Sequence, residues 1–237
     1  KTSVAHCSAI LAMSMLQAYT EDDSFIKIKE NFEWAAKATH WSKYASIGSL
    51  GIIFKNCHLV DPVRRFMPES NKDVVNHFPN GGAFYALGFM YSGTQDKTLI
   101  EFLRQVAVDK DQNKYDAVMH GLSISLGLLC LGTGNKEVAN QLKDFMHTGN
   151  SVLGEAAGLS IGLIHAGSGD ELVLGELINM TGETDSEKSL RSVCMSIGIV
   201  CFQKQQPIEF LDNLAANPKL KLAVPHYLAM AYFKTSN

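Results

Sequence analysis

A chain of 237 residues that is 46% hydrophobic and 19% charged carries too much apolar side chain to stay disordered. Its net charge of -3 provides no broad basic field, which argues against nucleic acid as a partner. The longest weakly polar stretch, Gly121 to Gly134, contains Ser123, Ser125 and Thr133. It is shorter than the ~20 apolar residues of a membrane span, so no membrane partner is expected.

Along the chain a small-residue string recurs as AMSML, SLGII, ALGFM, SLGLL, SIGLI, SIGIV and AMAYF. The strings centre on Ser14, Gly51, Gly88, Gly127, Gly162, Gly198 and Ala231, at intervals of 37, 37, 39, 35, 36 and 33 residues. That period belongs to stacked helix-turn-helix units in which each repeat touches mainly its neighbours. The fold class expected is all-α, an α-solenoid of about six to seven repeats, with residues 1–237 forming one repeat segment. Between the strings lie more amphipathic helices, expected at Phe25–Ala38, Pro62–Phe66, Lys97–Val108, Glu137–Met146, Leu172–Asn179 and Pro207–Ala215. Their start signals are Asp61-Pro62, Asn135 before Lys136-Glu137, and Ser168-Gly169 before Asp170-Glu171. Their mixed faces, such as Lys27, Lys29, Glu30 and Glu33, are expected to point outward, and Pro68 shortens one of them. No strand pattern stands out; only Ile197–Phe202 has comparable β propensity.

Counting from each centre separates the columns. Six residues before it stand Ser8, Ala45, Gly82, Gly121, Ala156, Ser192 and Pro225; two before it stand Ala12, Ser49, Ala86, Ser125, Ser160, Ser196 and Ala229. These positions share a helix face, and their small side chains let another helix come close. The flanking columns, Met13, Leu50, Leu87, Leu126, Ile161, Ile197, Met230 and Met15, Ile52, Phe89, Leu128, Leu163, Ile199, Tyr232, are expected to form the core. A mid-helix glycine costs roughly 1 kcal/mol relative to alanine, so five central glycines need close packing to offset them.

No set of residues converges on a catalytic or metal site. Gly158-Leu159-Ser160-Ile161-Gly162 matches G-x-S-x-G, but a nucleophile elbow needs a strand-to-helix turn and Ser160 falls mid-helix in a packing column. Glu155 stands in a column that otherwise holds Cys7, Tyr44, Gly81, His120, Arg191 and Val224, and reads as a surface or local contact, as do Asp170 and Glu171. The eight histidines form no H-E-x-x-H or i, i+4 pair, and His6-Cys7 and Cys57-His58 are adjacent rather than spaced for one zinc. Gly132-Thr133-Gly134 lacks a Walker lysine and reads as a helix stop. Trp34 and Trp41 bracket a helix junction as core wedges or partner anchors. No catalytic, cofactor or metal residue is assigned, no cofactor is expected, and partner-binding residues stay unassigned. An α/α-toroid enzyme would need paired carboxylates across a cleft, which the varying acids do not provide.

The five cysteines are odd in number and lack paired spacing, which favours free thiols in a reducing cytoplasm or nucleus. No signal peptide is visible, so the sequon at Asn179 carries no weight. The chain begins at Lys1 without a Met and both ends expose a repeat interface without a polar cap; the expectation is a piece of a longer polypeptide.

The strings GGAFYALGFMYSG, HGLSISLGLLCLGTGN and GEAAGLSIGLIHAGSG resemble proteasome/cyclosome repeats. That family comprises the two large non-ATPase scaffold subunits of the 26S proteasome regulatory particle, with related repeats in the largest anaphase-promoting-complex subunit. The run from Asn31 to Tyr44 followed by SIGSLGIIFKN, together with GEAAGL and AMAY, is similar to one of the two scaffold subunits. The resemblance implies a curved or toroidal platform beside the proteasomal ATPase ring. It also implies contacts with other regulatory-particle subunits, and ubiquitin receptors bound through regions outside this chain. Ser14 and Ala231 replace the central glycine, and Lys204-Gln205-Gln206 lacks the family's Gly-rich turn.

Overall fold

Two kinds of helix follow from where the apolar residues fall. The computed structural model describes residues 2–24, 38–57, 60–68, 77–110 and 113–234, and every regular element among them is helical. One set contains the repeat strings and is rich in small and apolar residues: α1 (Thr2–Leu16), α2 (His40–Gly48) with its continuation α3 (Leu50–Ile53), α5 (His77–Met90), α7 (Asp116–Leu129), α9 (Ser151–Ile164), α11 (Glu187–Val200) and α13 (Ala223–Ala231). The other set is α4 (Asp61–Arg64), α6 (Lys97–Val108), α8 (Lys136–Met146), α10 (Glu171–Gly182) and α12 (Ile208–Ala216), the last followed by a 3₁₀ turn over Pro218–Leu220. In this set apolar residues recur on one face, as with Ile100, Leu103 and Ala107 in α6 or Val173, Leu174 and Leu177 in α10, and these are buried, joined at the end of α10 by Met180 and Thr181.

The chain gathers into two compact units, Lys1–Ser125 and Leu126–Asn237, with the boundary inside α7. In the first, α1 packs on α2 and α3, and these pack on α5, which also receives α4. In the second, α9 packs on α11 and α11 on α13, while α8, α10 and α12 cover α9, α11 and α13 respectively. An outer helix therefore seals the string helix that follows it, and the architecture is an α-solenoid of helical hairpins. The helix expected at Phe25–Ala38, with Lys27, Lys29, Glu30, Glu33 and Trp34, and also His58, lies outside the described residues but for Ala38.

The helix starts correct one reading. Asn135 caps α8 by accepting from the Val138 N–H, but α10 is capped by Asp170 itself, which accepts from Leu172 and Val173, rather than by Ser168-Gly169. Ser168 does the preceding job, accepting from the Asp170 N–H. The same two-step device precedes α6 and α8: Thr94 and Thr133 donate to the carbonyls of Tyr91 and Cys130, accept from Asp96 and Asn135, and those residues cap the helix. A hydroxyl followed two residues later by Asp or Asn thus satisfies donors that a helix start leaves orphaned.

The core also differs from the column reading. Leu50, Leu87, Leu126, Ile161 and Ile197 are buried, but Phe89, Leu128, Leu163, Ile199 and Tyr232 on the other flank are only half-buried. The column two residues after the centre, Ile53, Met90, Leu129, Ile164 and Val200, is sealed instead. The reason is angular: at 100° per residue, positions one before and two after the centre lie 60° apart, while position one after swings away. In α1 both flanks are open, with Met13 40% and Met15 66% exposed.

Candidate functional site

The feature repeated with least variation is the contact between successive string helices. A Cβ placed on Gly127 would lie 2.6 Å from the Ser160 Cβ, and one on Gly162 would lie 2.7 Å from the Ser196 Cα. Gly51 meets the backbone of Ala86 in the same way. Gly51, Gly127 and Gly162 therefore press on the residue two before the centre of the next repeat, and that column is small there because a backbone rests on it. Ser14 and Ala231, which replace glycine, are fully buried, and Gly88 and Gly198 are buried as well. Gly198 meets the backbone of His226 instead, five residues before Ala231.

The turns after the string helices repeat just as closely. Five residues after each of the first six centres stand Tyr19, Asn56, Gly93, Gly132, Gly167 and Gln203, and all six take positive φ, between 55° and 76°. Gly132 and Gly134 donate to the carbonyls of Leu163 and Ile164, and Gly167 and Gly169 donate to those of Ile199 and Val200. The left-handed turn thus ends one helix and caps the C-terminus of the next. Gln203, in the stretch that lacks the Gly-rich turn, adopts the same φ and donates to Met230. Lys234 holds φ 57°, so the turn counts the last centre at Ala229 while burial keeps it at Ala231.

In the first unit an aromatic cluster spans three string helices. The Tyr44 hydroxyl lies 2.9 Å from His120 Nδ1, reaching from α2 past α5 to α7. The residue it passes is Gly81, where a Cβ would come 3.1 Å from the Tyr44 ring. Tyr85 stacks on Tyr44 at 5.4 Å, and Trp41 sets its edge against Tyr44, Phe78 and His120. Burial holds the Tyr44 hydroxyl well above the usual tyrosine range and pushes Tyr85 up to about 12. Trp41 remains 37% exposed, so it is both wedge and surface.

The residues weighed for chemistry are dispersed. Ser160 is buried against Gly127 and donates to the Ala156 carbonyl at 2.8 Å, which is helix packing rather than a nucleophile's geometry. Glu155 pairs with Arg191 of the next repeat at 3.9 Å. Asp170 caps α10, and Glu171 sits exposed in its first turn. Cys7 approaches the Trp41 carbonyl, whereas Cys130, Cys194 and Cys201 are buried, and burial pushes Cys130 up to about 11 and Cys201 up to about 12. Among the described residues no group of three His, Cys, Asp or Glu side chains is placed to hold a metal ion. Nor is any described helix long and apolar enough to cross a membrane. Sequence reading missed the φ column and the hydroxyl-Asx starts, although GTQD, GTGN and GSGD at matching offsets were the available signal.

Known proteins resemble this chain in sequence. Residues 156–190, which include Ser160, Gly162 and the Gly167–Gly169 turn, match the proteasome/cyclosome repeat. The whole chain is 30% identical over 247 residues to the 26S proteasome regulatory subunit RPN2 of Candida glabrata, covering 26% of that protein. It is 28% identical over 242 residues to the 26S proteasome non-ATPase regulatory subunit 1 of Drosophila melanogaster, covering 23% of it. It is likewise 28% identical over 244 residues to homolog A of that subunit from Arabidopsis thaliana. The chain spans about a quarter of the length of these relatives. A matching repeat among these glycine-backed hairpins, and similarity running the whole length of the chain, make it similar to the proteasome/cyclosome-repeat segment of the 26S proteasome regulatory subunit RPN2, or non-ATPase subunit 1.

Proposed function

We propose that residues 1–237 are one repeat array within a noncatalytic scaffold subunit of the 26S proteasome regulatory particle. In this reading the protein organises the ATPase ring and other non-ATPase subunits for ubiquitin-dependent degradation, in cytoplasm and nucleus. Ubiquitin receptors attach through regions outside this segment. The observation that carries the reading is the repeat interface itself. The glycine, the small residue two before the next centre and the left-handed turn recur at matching offsets, and their period continues across Ser125. Repeats so built present a similar surface at each hairpin, suited to contacts with several proteins. The polar groups contribute to caps, turns and inter-repeat pairs, a structural use rather than a catalytic one.

Gradient fractionation of a native lysate tests this. The full-length protein is expected to travel with ATP-dependent proteolytic activity. A peak separate from that activity would refute the assignment. A Glu155→Gln variant is expected to leave that activity unchanged, and loss of activity with the fold intact would reopen a catalytic reading.

A further inference from the structure

One lysine in the second unit has three acceptors around its ammonium. The Lys219 ammonium, on the 3₁₀ turn before α13, lies 3.2 Å from the Thr181 carbonyl, 3.0 Å from the Thr184 carbonyl and 2.8 Å from Asp185 Oδ1. An ammonium has three donors, and three acceptors meet them. Its own backbone is set as well: the Lys219 N–H donates to Asn217 Oδ1, and the Lys219 carbonyl accepts from the Cys194 thiol of α11 at 3.6 Å.

The acceptors belong to the preceding hairpin. Thr181 lies in the last turn of α10, where unpaired carbonyls and the helix dipole favour a cation. Thr184 and Asp185 form the loop that starts α11: the Thr184 hydroxyl accepts from the Ser186 N–H, and the Ser186 hydroxyl caps α11 by accepting from Ser189. One side chain thus joins the end of α10, the start of α11 and the connection into α13. Its ammonium remains partly open to water, with the side chain 37% exposed, and Asp185 is 96% exposed. Solvent ions can therefore reach the pair, whereas the glycine-backed contacts of Gly158 and Gly162 with α11 are buried.

We propose that Lys219 is a charge-dependent latch between consecutive hairpins. Closed, it orders the α10–α11 loop; neutralised or screened, it frees that loop while the string helices stay seated. The ordering of residues 181–186 is thereby coupled to the 3₁₀ turn one repeat later, so that whatever moves one end of the latch is felt at the other.

Amide hydrogen exchange on the intact chain tests the latch. Lys219→Met is expected to speed exchange over 182–186 by about tenfold, as loss of charge-assisted bonds in a local opening would do. Asp185→Asn, which leaves both carbonyl bonds, should do so by less, and Lys221→Met on the neighbouring exposed lysine should have no effect. In the unaltered chain, raising salt from about 50 mM to about 1 M should speed exchange over 182–186 and leave 158–164 protected. If Lys219→Met does not fold, the salt series decides alone. Exchange over 182–186 within about twofold of the unaltered chain in Lys219→Met and across the salt series, or a uniform rise throughout the chain, would overturn the proposal.

Discussion

Two glycines of this chain look alike in sequence and differ in what surrounds them. Gly127 is seated on Ser160, whereas Gly175 on α10 has no atom within 4 Å of where its Cβ would be. Gly127→Leu must separate α7 from α9 in the second unit and is expected to cost about 3 kcal/mol or more, the upper range of overpacking. Gly175→Ala relieves only helix propensity and is expected to stabilise by up to about 1 kcal/mol. Thermal unfolding of the two variants checks the pair, and an unchanged Tm for Gly127→Leu would contradict the close-packing argument. The serines of the small column divide likewise. Ser196 donates to the Gly158 carbonyl of the neighbouring helix at 2.8 Å. Ser125 is fully buried and its hydroxyl has no partner. Ser196→Ala should therefore destabilise by about 1 kcal/mol, while Ser125→Ala should be neutral or stabilising. Chemical denaturation midpoints in that order are the expected outcome, and the reverse order would refute the assignment of the bonds.

At the scale of the element, helix starts and turns decide stability. Removing the α10 cap by Asp170→Ala is expected to cost about 0.5–2 kcal/mol and to raise exchange in the first turn of α10, whereas Ser168→Ala, which loses only the preceding turn bond, should cost less. His165, at the end of α9, supplies a pH dependence. Its burial outweighs the pull of Asp170 and holds its pKa below the usual histidine value. The unfolded chain then binds the proton first, so stability falls as pH drops from about 6.5 toward the lower folded value. Denaturation curves between about pH 8 and pH 5 should show His165→Gln losing less than the unaltered chain, and an equal loss would exclude His165 as the source. Much of this scale was legible in the sequence. The helix at Lys97–Val108 follows from its apolar period, and α8, α10 and α12 start within a residue of their expected positions. What was not legible has an angular or backbone cause. The half-burial of Phe89, Leu128 and Leu163 depends on which side the next hairpin arrives, and the positive φ of Tyr19, Gln95 and Gln203 lies at residues whose identity does not announce it. The Tyr44–His120 bond joins residues 76 apart and required the intervening Gly81 to be seen in place.

At the scale of the molecule, the residues that sequence reading could not assign to any chemistry turn out to serve the stack. Cys130, Cys194 and Cys201 are buried, and their raised pKa values leave little thiolate near neutrality. Alkylation at about pH 8 should mark the half-buried Cys7 well before these three, and early labelling of Cys201 would show that α11 is not seated as described. A chain whose central glycines and small column serve repeat-to-repeat contact is suited to present surfaces, and its relatives are named as proteasome regulatory subunits. The most direct measurement is affinity capture of the tagged full-length protein from a native lysate, with the co-purifying proteins identified by mass spectrometry. A scaffold of the regulatory particle predicts stoichiometric recovery of the proteasomal ATPases and the other non-ATPase subunits. Recovery of anaphase-promoting-complex subunits, or of no large assembly, would contradict it.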